Sequence, residues 1–420
     1  MTKMSSVPPR RVFVFLQGPP GPLLQRLAAV LSSRGNTVHR INISAGDRVD
    51  WQGSATNFRG VFSDWPAFFD DFLRRNSVTD VLLFGDCRPY HKTARGIAAL
   101  RGICTHVLEE GYLRPHWMTL EQEGVNAHSR LRRDKEWFLE QARHLPAEPE
   151  LPPITASFRR RMRDSAKYYT ALYLASPWTF PHYRTHRTAS ALSEAIGWSW
   201  KYLVGRRRQR QAEHTIDQTG EKRFFLLPLQ LSGDYQIRSH SPFPDMPAAT
   251  AFVLNSFASH APSGTHLLIK AHPLDCSVFP WSRFIRQRAR KLGVADRVHY
   301  IDGGNLEDLA AAATGMICVN STSATLALQA DRPVFVLGEA IYKITGLTFG
   351  GHLDEFWIDP PPPEPELYSA FRRVLVERCL VRGGLASESA VETLVENMAG
   401  RLCGAVPYHV SSSQSLMVAK

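Results

Sequence analysis

Continuous apolar runs, rather than alternating ones, set the rhythm of the first 110 residues. Residues 11–17 (RVFVFLQ), 37–43, 78–85 (VTDVLLFG) and 103–109 each predict a strand buried on both faces. Residues 23–34 carry helical periodicity that Gly35 ends, and a second helix is predicted near 91–101. Buried strands separated by helices argue a parallel sheet covered on both sides. The scheme restarts after residue 220. Strands are predicted at 223–230 (RFFLLPLQ), 266–270, 298–301, 316–319 and 333–337, alternating with helices at 248–260, 283–292, 306–313 and 323–330. Further helices fall near 366–379 and 390–401, residues 411–420 read as frayed, and Pro360–Pro365 (PPPPEP) as a surface loop or extended spacer. No internal repeat is visible. The pattern predicts two βα domains joined by a helical connector, with ligands at the carboxyl ends of the strands.

Composition narrows the class. A chain of 420 residues with 44% apolar and 21% charged residues can bury sizeable cores and is not a disordered chain. No run of about 18 apolar residues exists, so no spanning helix is expected. The short apolar stretch at the N-terminus is broken at once by Gly and Pro and lacks a cleavage pattern, so a cytoplasmic address is expected. The six cysteines show no CxxC spacing and no Cys/His ligand clustering, and they read as buried thiols.

The net charge of +11 is concentrated. Residues 159–210 hold twelve Lys or Arg against only Asp164 and Glu194, interleaved with Trp178, Trp198, Trp200 and Tyr168, Tyr169, Tyr173, Tyr183 and Tyr202. This mixture suits an anionic membrane surface. It also suits a solvated helix pair with its aromatics turned inward, or single-stranded nucleic acid. No RNP, zinc-finger or KH pattern supports the last, and no nucleic-acid partner is expected.

Polar clusters fall at the predicted strand ends. Gln17-Gly-Pro-Pro-Gly21 follows the first strand; Gly18 there lets backbone approach a ligand, or simply makes a tight turn, and the string is not GxGxxG. The loops GDCRPYH (85–91) and EEGYLRP (109–115) put Asp86 beside Arg88, and Glu110 and Tyr112 beside Arg114. Acids next to guanidinium groups suit a sugar acid or general-base work at a hydroxyl, or are structural pairs. In Gln230-Leu-Ser-Gly-Asp234, Gly233 permits a turn that projects Asp234 as a nucleophile toward an anomeric carbon, or leaves it a turn residue. Lys270-Ala-His272-Pro273 offers a cation and an imidazole for a phosphate. Ser321, Thr322 and Ser323 offer hydroxyls between a strand and a helix, where an anion or a helix cap is favoured. No DxD pair stands at a strand end, so a divalent metal holding a diphosphate has no obvious ligand set, and no metal or cofactor is expected.

The strings FLQGPPG, INISAGDR, FGDCRPYH, EEGYLRPHWMTLE, the Gln230/Asp234 box, KAHP and NSTSATLAL together resemble the KpsS/LipB family of capsular polysaccharide biosynthesis proteins, over about residues 10–350. The resemblance implies an α/β fold of two Rossmann-like domains facing a cleft, GT-B-like, with the basic helical connector between them. Residues 1–150 would form the acceptor-side domain, 151–215 the membrane-docking connector, 216–350 the nucleotide-sugar domain and 351–420 C-terminal helices and tail. It implies a retaining β-Kdo glycosyltransferase that moves Kdo from CMP-Kdo to lyso-phosphatidylglycerol, an anionic glycerophospholipid, at the inner face of the cytoplasmic membrane. Other capsule-assembly proteins are implied as partners. Asp234 then matches the nucleophile with Gln230 beside it, Glu110 the acceptor base, and Lys270, His272 and Ser321–Ser323 the CMP side. Gly18, Asp86, Arg88, Tyr112, Arg114 and Pro273 complete the expected substrate contacts. Open alternatives are a non-catalytic export or assembly factor that binds lipid-linked glycan, another GT-B transferase, or a sugar-nucleotide epimerase.

Overall fold

The computed structural model describes residues 10–148, 150–154, 156–185, 191–231, 235–276 and 279–404. Its first half is built on a seven-stranded sheet. The strands are β1 (Val12–Phe15), β2 (Thr37–Asn42), β3 (Thr56–Asn57), β4 (Asp80–Phe84), β5 (Cys104–Glu110) and β6 (Trp117–Gln122), and the seventh comes from the far end of the chain. Helices α1 (Leu23–Ser33), α2 (Ala45–Val49), α3 (Trp65–Arg75), α4 (Pro89–Leu100) and α5 (Lys135–Arg143) flank it. The periodicity of α1 is the reason it is a helix against the sheet: Leu23, Leu24, Leu27, Ala28 and Leu31 form one buried stripe. Asp134 starts α5 by accepting the Trp137 amide at 2.7 Å.

Two long helices follow, α6 (Phe158–Thr179) and α7 (Ala191–Gly220), where the basic connector was expected. The second half is a five-stranded sheet, in the order β11-β10-β7-β8-β9. Its strands are β7 (Phe224–Pro228), β8 (His266–Lys270), β9 (Val298–Ile301), β10 (Gly315–Cys318) and β11 (Val334–Val336), and every neighbouring pair runs parallel. Its helices are α8 (Tyr235–His240), α9 (Met246–His260), α10 (Trp281–Lys291), α11 (Leu306–Ala312), α12 (Ala324–Gln329) and α13 (Leu353–Phe356). β7 is buried at all five positions, as a continuous apolar strand between two helical layers must be.

The C-terminal segment returns to the first half. Helix α14 (Pro365–Arg378) packs on α5, strand β12 (Leu380–Arg382) pairs antiparallel with β6, and α15 (Glu388–Leu402) packs on α1. β5 and β6 are also antiparallel, so the first sheet is mixed where a parallel one was expected. Leu380 and Val381 are buried there, and this burial holds a three-residue strand too short to show a pattern in the sequence. The molecule is thus two α/β sheets with flanking helices, consistent with a GT-B-like two-domain architecture. A single apolar cluster joins Tyr112, Leu113 and Phe138 of the first half to Phe224, Leu226 and Phe371. No helix among the described residues is long and apolar enough to cross a membrane.

Candidate active site in the cleft

The carboxyl ends of β7, β8, β9 and β10 carry Gln230, Lys270, Asp302 and Asn320. Gln230 and Asn320 lock the ends of β7 and β10 together: Gln230 Nε2 donates to Asn320 Oδ1 at 2.9 Å, and its Oε1 accepts the Asn320 amide at 3.1 Å. Gln230 is therefore a buried clamp. Asp234, with Ser232 and Gly233, lies outside the described residues.

Lys270 ends β8 and is only 6% exposed. Burial pushes its ammonium below the usual lysine range, Asp302 opposes this and Lys201 adds to it. His272 is half-buried, and its Nδ1 accepts the Leu274 amide at 3.1 Å, which leaves Nε2–H as the ring's donor. Burial, then Arg114, Lys201 and Lys270, push His272 down to about 4. Arg114 comes from the first half, Lys201 from α7 and Lys270 from the second half. Three cations from three segments converge on one neutral imidazole, an arrangement that an arriving anion relieves. Pro273 contributes its carbonyl, which accepts Lys201 Nζ at 3.0 Å.

The hydroxyls at 321–323 are mutually engaged. Ser321 and Ser323 Oγ atoms are 2.8 Å apart, and Ser321 Oγ accepts the Ser323 amide at 3.2 Å. Ser323 precedes α12 without capping it through its side chain. Thr322 sits between them half-buried, and its carbonyl accepts Thr325 Oγ1 at 2.8 Å.

On the other wall, four expected substrate contacts serve the fold as well or instead. A Cβ on Gly18 would stand 2.8 Å from Leu24 Cγ, so this glycine answers to packing. The amide of Gly21 in the same loop is taken by Asp50 Oδ2 at 2.8 Å. Asp86 is fully buried and does not face the cleft; it accepts from Arg95 at 2.8 Å and His128 at 2.9 Å. Burial raises its carboxyl, but the His128 bond and charge, Cys87 and Arg95 outweigh that and hold it below the usual range. Tyr112 is buried too, donating to Glu121 Oε1 at 2.6 Å. Glu110 is pinned by an ion pair with Arg161 of α6. Arg88 donates to Gln17 Oε1 at 3.0 Å at the start of α4, and Arg114 is exposed.

The connector divides its residues by face. Tyr168 is buried: its hydroxyl accepts Gln17 Nε2 at 2.7 Å and donates to Asp47 Oδ1 at 3.1 Å. Lys201 and Arg208 turn inward to Asp302, at 3.5 and 2.7 Å, so they are not part of an outward basic face. Trp178 (87% exposed), Leu203 (75%), Leu174 and Trp200 point outward with Arg206, Arg207 and Arg210. Arg187 lies outside the described residues.

Sequence reasoning missed Lys201 and Asp302 as cleft residues, and it missed His128 and His240 altogether. The latter two meet Cys87, so the expectation that no cysteine joins a Cys/His cluster does not hold. Their separation of more than 100 residues hid them, and only the fold brings them together.

An α/β protein of two sheets with flanking helices, with a lysine and a histidine at a strand end of the second sheet, is the class these features define. The chain belongs to the capsule polysaccharide biosynthesis protein family, whose profile matches residues 79–385. It is 34% identical over 387 residues to the capsule polysaccharide modification protein LipB of Neisseria meningitidis serogroup B, covering 89% of this chain and 91% of that one. It is 32% identical over 375 residues to the capsule polysaccharide export protein KpsS of Escherichia coli, covering 88% and 95%. Among solved structures, Thermosulfurimonas dismutans KpsC, a beta Kdo 2,7 transferase, is similar at a TM-score of 0.44 and 13% identity, over 92% of this chain and 99% of that one. That likeness is too slight to carry an argument.

Proposed function

We propose that the protein is a retaining β-Kdo glycosyltransferase that takes Kdo from CMP-Kdo and places it on lyso-phosphatidylglycerol, starting the linker of a capsular polysaccharide. The observation that carries this reading is the placing of Lys270 and His272 at the carboxyl end of β8 beside Lys201 of α7, whose Nζ lies 3.0 Å from the Pro273 carbonyl. A phosphate-linked sugar acid is an anion twice over, and Lys270, Lys201 and Arg114, which outnumber the one neighbouring carboxylate of Asp302, suit it. Lys270 and the His272 Nε2–H hold the phosphate with the Ser321 and Ser323 hydroxyls, while Arg88 and Arg114 take the sugar carboxylate. Asp234 attacks the anomeric carbon and CMP leaves with the bonding electrons. Glu110 then takes the acceptor hydroxyl's proton as that oxygen displaces Asp234, and two inversions leave the configuration retained. The outward Trp178, Leu203 and Arg206–Arg207–Arg210 face supports docking at the inner leaflet, where the lipid acceptor and other capsule-assembly proteins would be met.

A donor screen with CMP-Kdo, UDP-GlcNAc and UDP-GalNAc on a fluorescent glycerophospholipid tests the reading. Transfer from CMP-Kdo alone is expected, and Asp234→Asn should abolish it while keeping CMP binding. With acceptor withheld, mass spectrometry should find a Kdo adduct on the Asp234 peptide. Because the Escherichia coli relative is named an export protein, binding of lipid-linked glycan with no donor consumed is the competing outcome.

A further inference from the structure

Behind the cleft wall, three soft or borderline ligands from three segments meet. Cys87 lies in the turn after β4, His128 ends the short turn 126–128 after β6, and His240 is the last residue of α8. Cys87 Sγ is 3.1 Å from His240 Nε2, and the two imidazole rings stand edge to face with centroids 4.4 Å apart. One ligand atom from each residue lies within 4.8 Å of the others. Cys87 and His240 are buried. The geometry points to a site for one zinc-class dication, held by Cys87, His128 and His240 across the two halves of the molecule.

The supporting shell fits that ion. Zn–S and Zn–N bonds of about 2.3 and 2.0–2.1 Å at a tetrahedral angle put S and N about 3.5 Å apart. The Cys87–His240 pair is already close to that. Asp86, fully buried, sits beneath two of the ligands, with Oδ1 3.2 Å from Cys87 Sγ and Oδ2 2.9 Å from His128 Nδ1. A carboxylate that accepts one ring N–H of a histidine leaves the other nitrogen as the lone-pair atom, the usual orienting contact of a ligating imidazole. Arg95 Nη1 also donates to Asp86 at 2.8 Å and lies 2.9 Å from His128 Nδ1. A buried carboxylate is the stronger claimant for that nitrogen's proton, so the guanidinium bonds to Asp86 and neutralises it.

To ligate the ion, both imidazoles must be neutral and the cysteine a thiolate. Cys87 gives up its thiol proton when the dication takes its place. The balance is one Zn²⁺ taken up and one proton expelled from Cys87 to solvent, with no change of oxidation state. A second grouping, Asp80, Cys104 and His106, carries no such proposal because Arg11 already pairs with Asp80. Three protein ligands leave a fourth place, and the bound ion would tie the end of α8 to the first half, six residues beyond Asp234 in the chain.

The test uses the untagged full-length chain. After equilibration with ZnCl₂ and dialysis, elemental analysis should find about one zinc per chain. Calorimetry in two buffers of different ionisation enthalpy should find about one proton released per zinc. Cobalt(II) should give a thiolate charge-transfer band. Cys87→Ser should lose the band, and His240→Gln should weaken zinc binding at least about tenfold, a loss that mutating mere supporting partners already produces. Cys104→Ser should change neither. Circular dichroism establishes that each variant is folded, and His128→Gln replaces Cys87→Ser for the zinc count should the latter not fold. A wild-type chain that retains no zinc, or zinc and charge transfer that persist in Cys87→Ser, overturns the proposal.

Discussion

Replacing Lys270 by methionine should separate binding from stability in opposite directions. The ammonium is almost wholly buried and stands near Lys201, so its charged form is penalised in the folded state and its titration is displaced downward. A base whose folded value lies below its unfolded one costs stability in full below the folded value. That cost shrinks as pH rises through the folded value and is gone above the ordinary lysine value. Methionine fills a similar volume without the charge, so Lys270→Met should melt at or above the wild-type midpoint. Its effect on CMP should be adverse. A charge-assisted hydrogen bond to a phosphate is worth roughly 1.5–3 kcal/mol. At 1.4 kcal/mol per tenfold, this predicts CMP binding about 10- to 150-fold weaker. His272, Lys201 and Arg114 remain, so binding should weaken and not vanish. Titration calorimetry with CMP, beside scanning calorimetry of the same samples, reads both quantities. Unchanged CMP affinity in a folded variant removes Lys270 from the site. A large fall in midpoint shows that Lys270 is instead a structural partner of Asp302.

Asp80 is buried, but His106, Thr79 and Arg11 outweigh the burial and hold its carboxyl below the usual range. Its folded value therefore lies below its unfolded one, and its stabilisation is present above about pH 4 and lost as pH falls through the folded value. Urea midpoints at pH 7 and pH 3 should differ less in Asp80→Asn than in wild type. Tyr168→Phe removes a hydroxyl shared by Gln17 and Asp47, and should cost about 1–3 kcal/mol in urea unfolding because buried partners lose their bond; no loss would refute that role. Reversing Arg206, Arg207 and Arg210 to Glu, and sparing Arg208, should release the protein from anionic liposomes, as should high salt. Flotation that survives all three reversals removes the connector as the docking surface.

The strands β1, β4, β7 and β8 were legible because a strand buried on both faces must be apolar throughout, and such runs need no context to be read. β6 and β12 were not, since their burial depends on each other across more than 250 residues. Candidate residues divided in the same way. Lys270 ends a readable strand and His272 follows it, so their place at its carboxyl end needed no wider context. Asp86 also follows one, yet after Gly85 the chain turns and the carboxylate enters the protein to meet His128, which no local spacing foretells. Arg206, Arg207 and Arg210 differ from Arg208 only by their place around a helix, and the inward one is chosen by Asp302, a residue of another strand end.

The return of β12 to the first sheet also has a meaning in time. Synthesis runs from the N-terminus, so β6 leaves the ribosome more than 250 residues before its partner does. Throughout that interval the first sheet carries an unpaired edge, open to wrong pairing with another chain. The sheet is completed only once Leu380–Arg382 are made, after which α15 covers α1. A ribosome that stalls late, or a protease that trims from the C-terminus, would therefore spoil the half of the molecule that was made first.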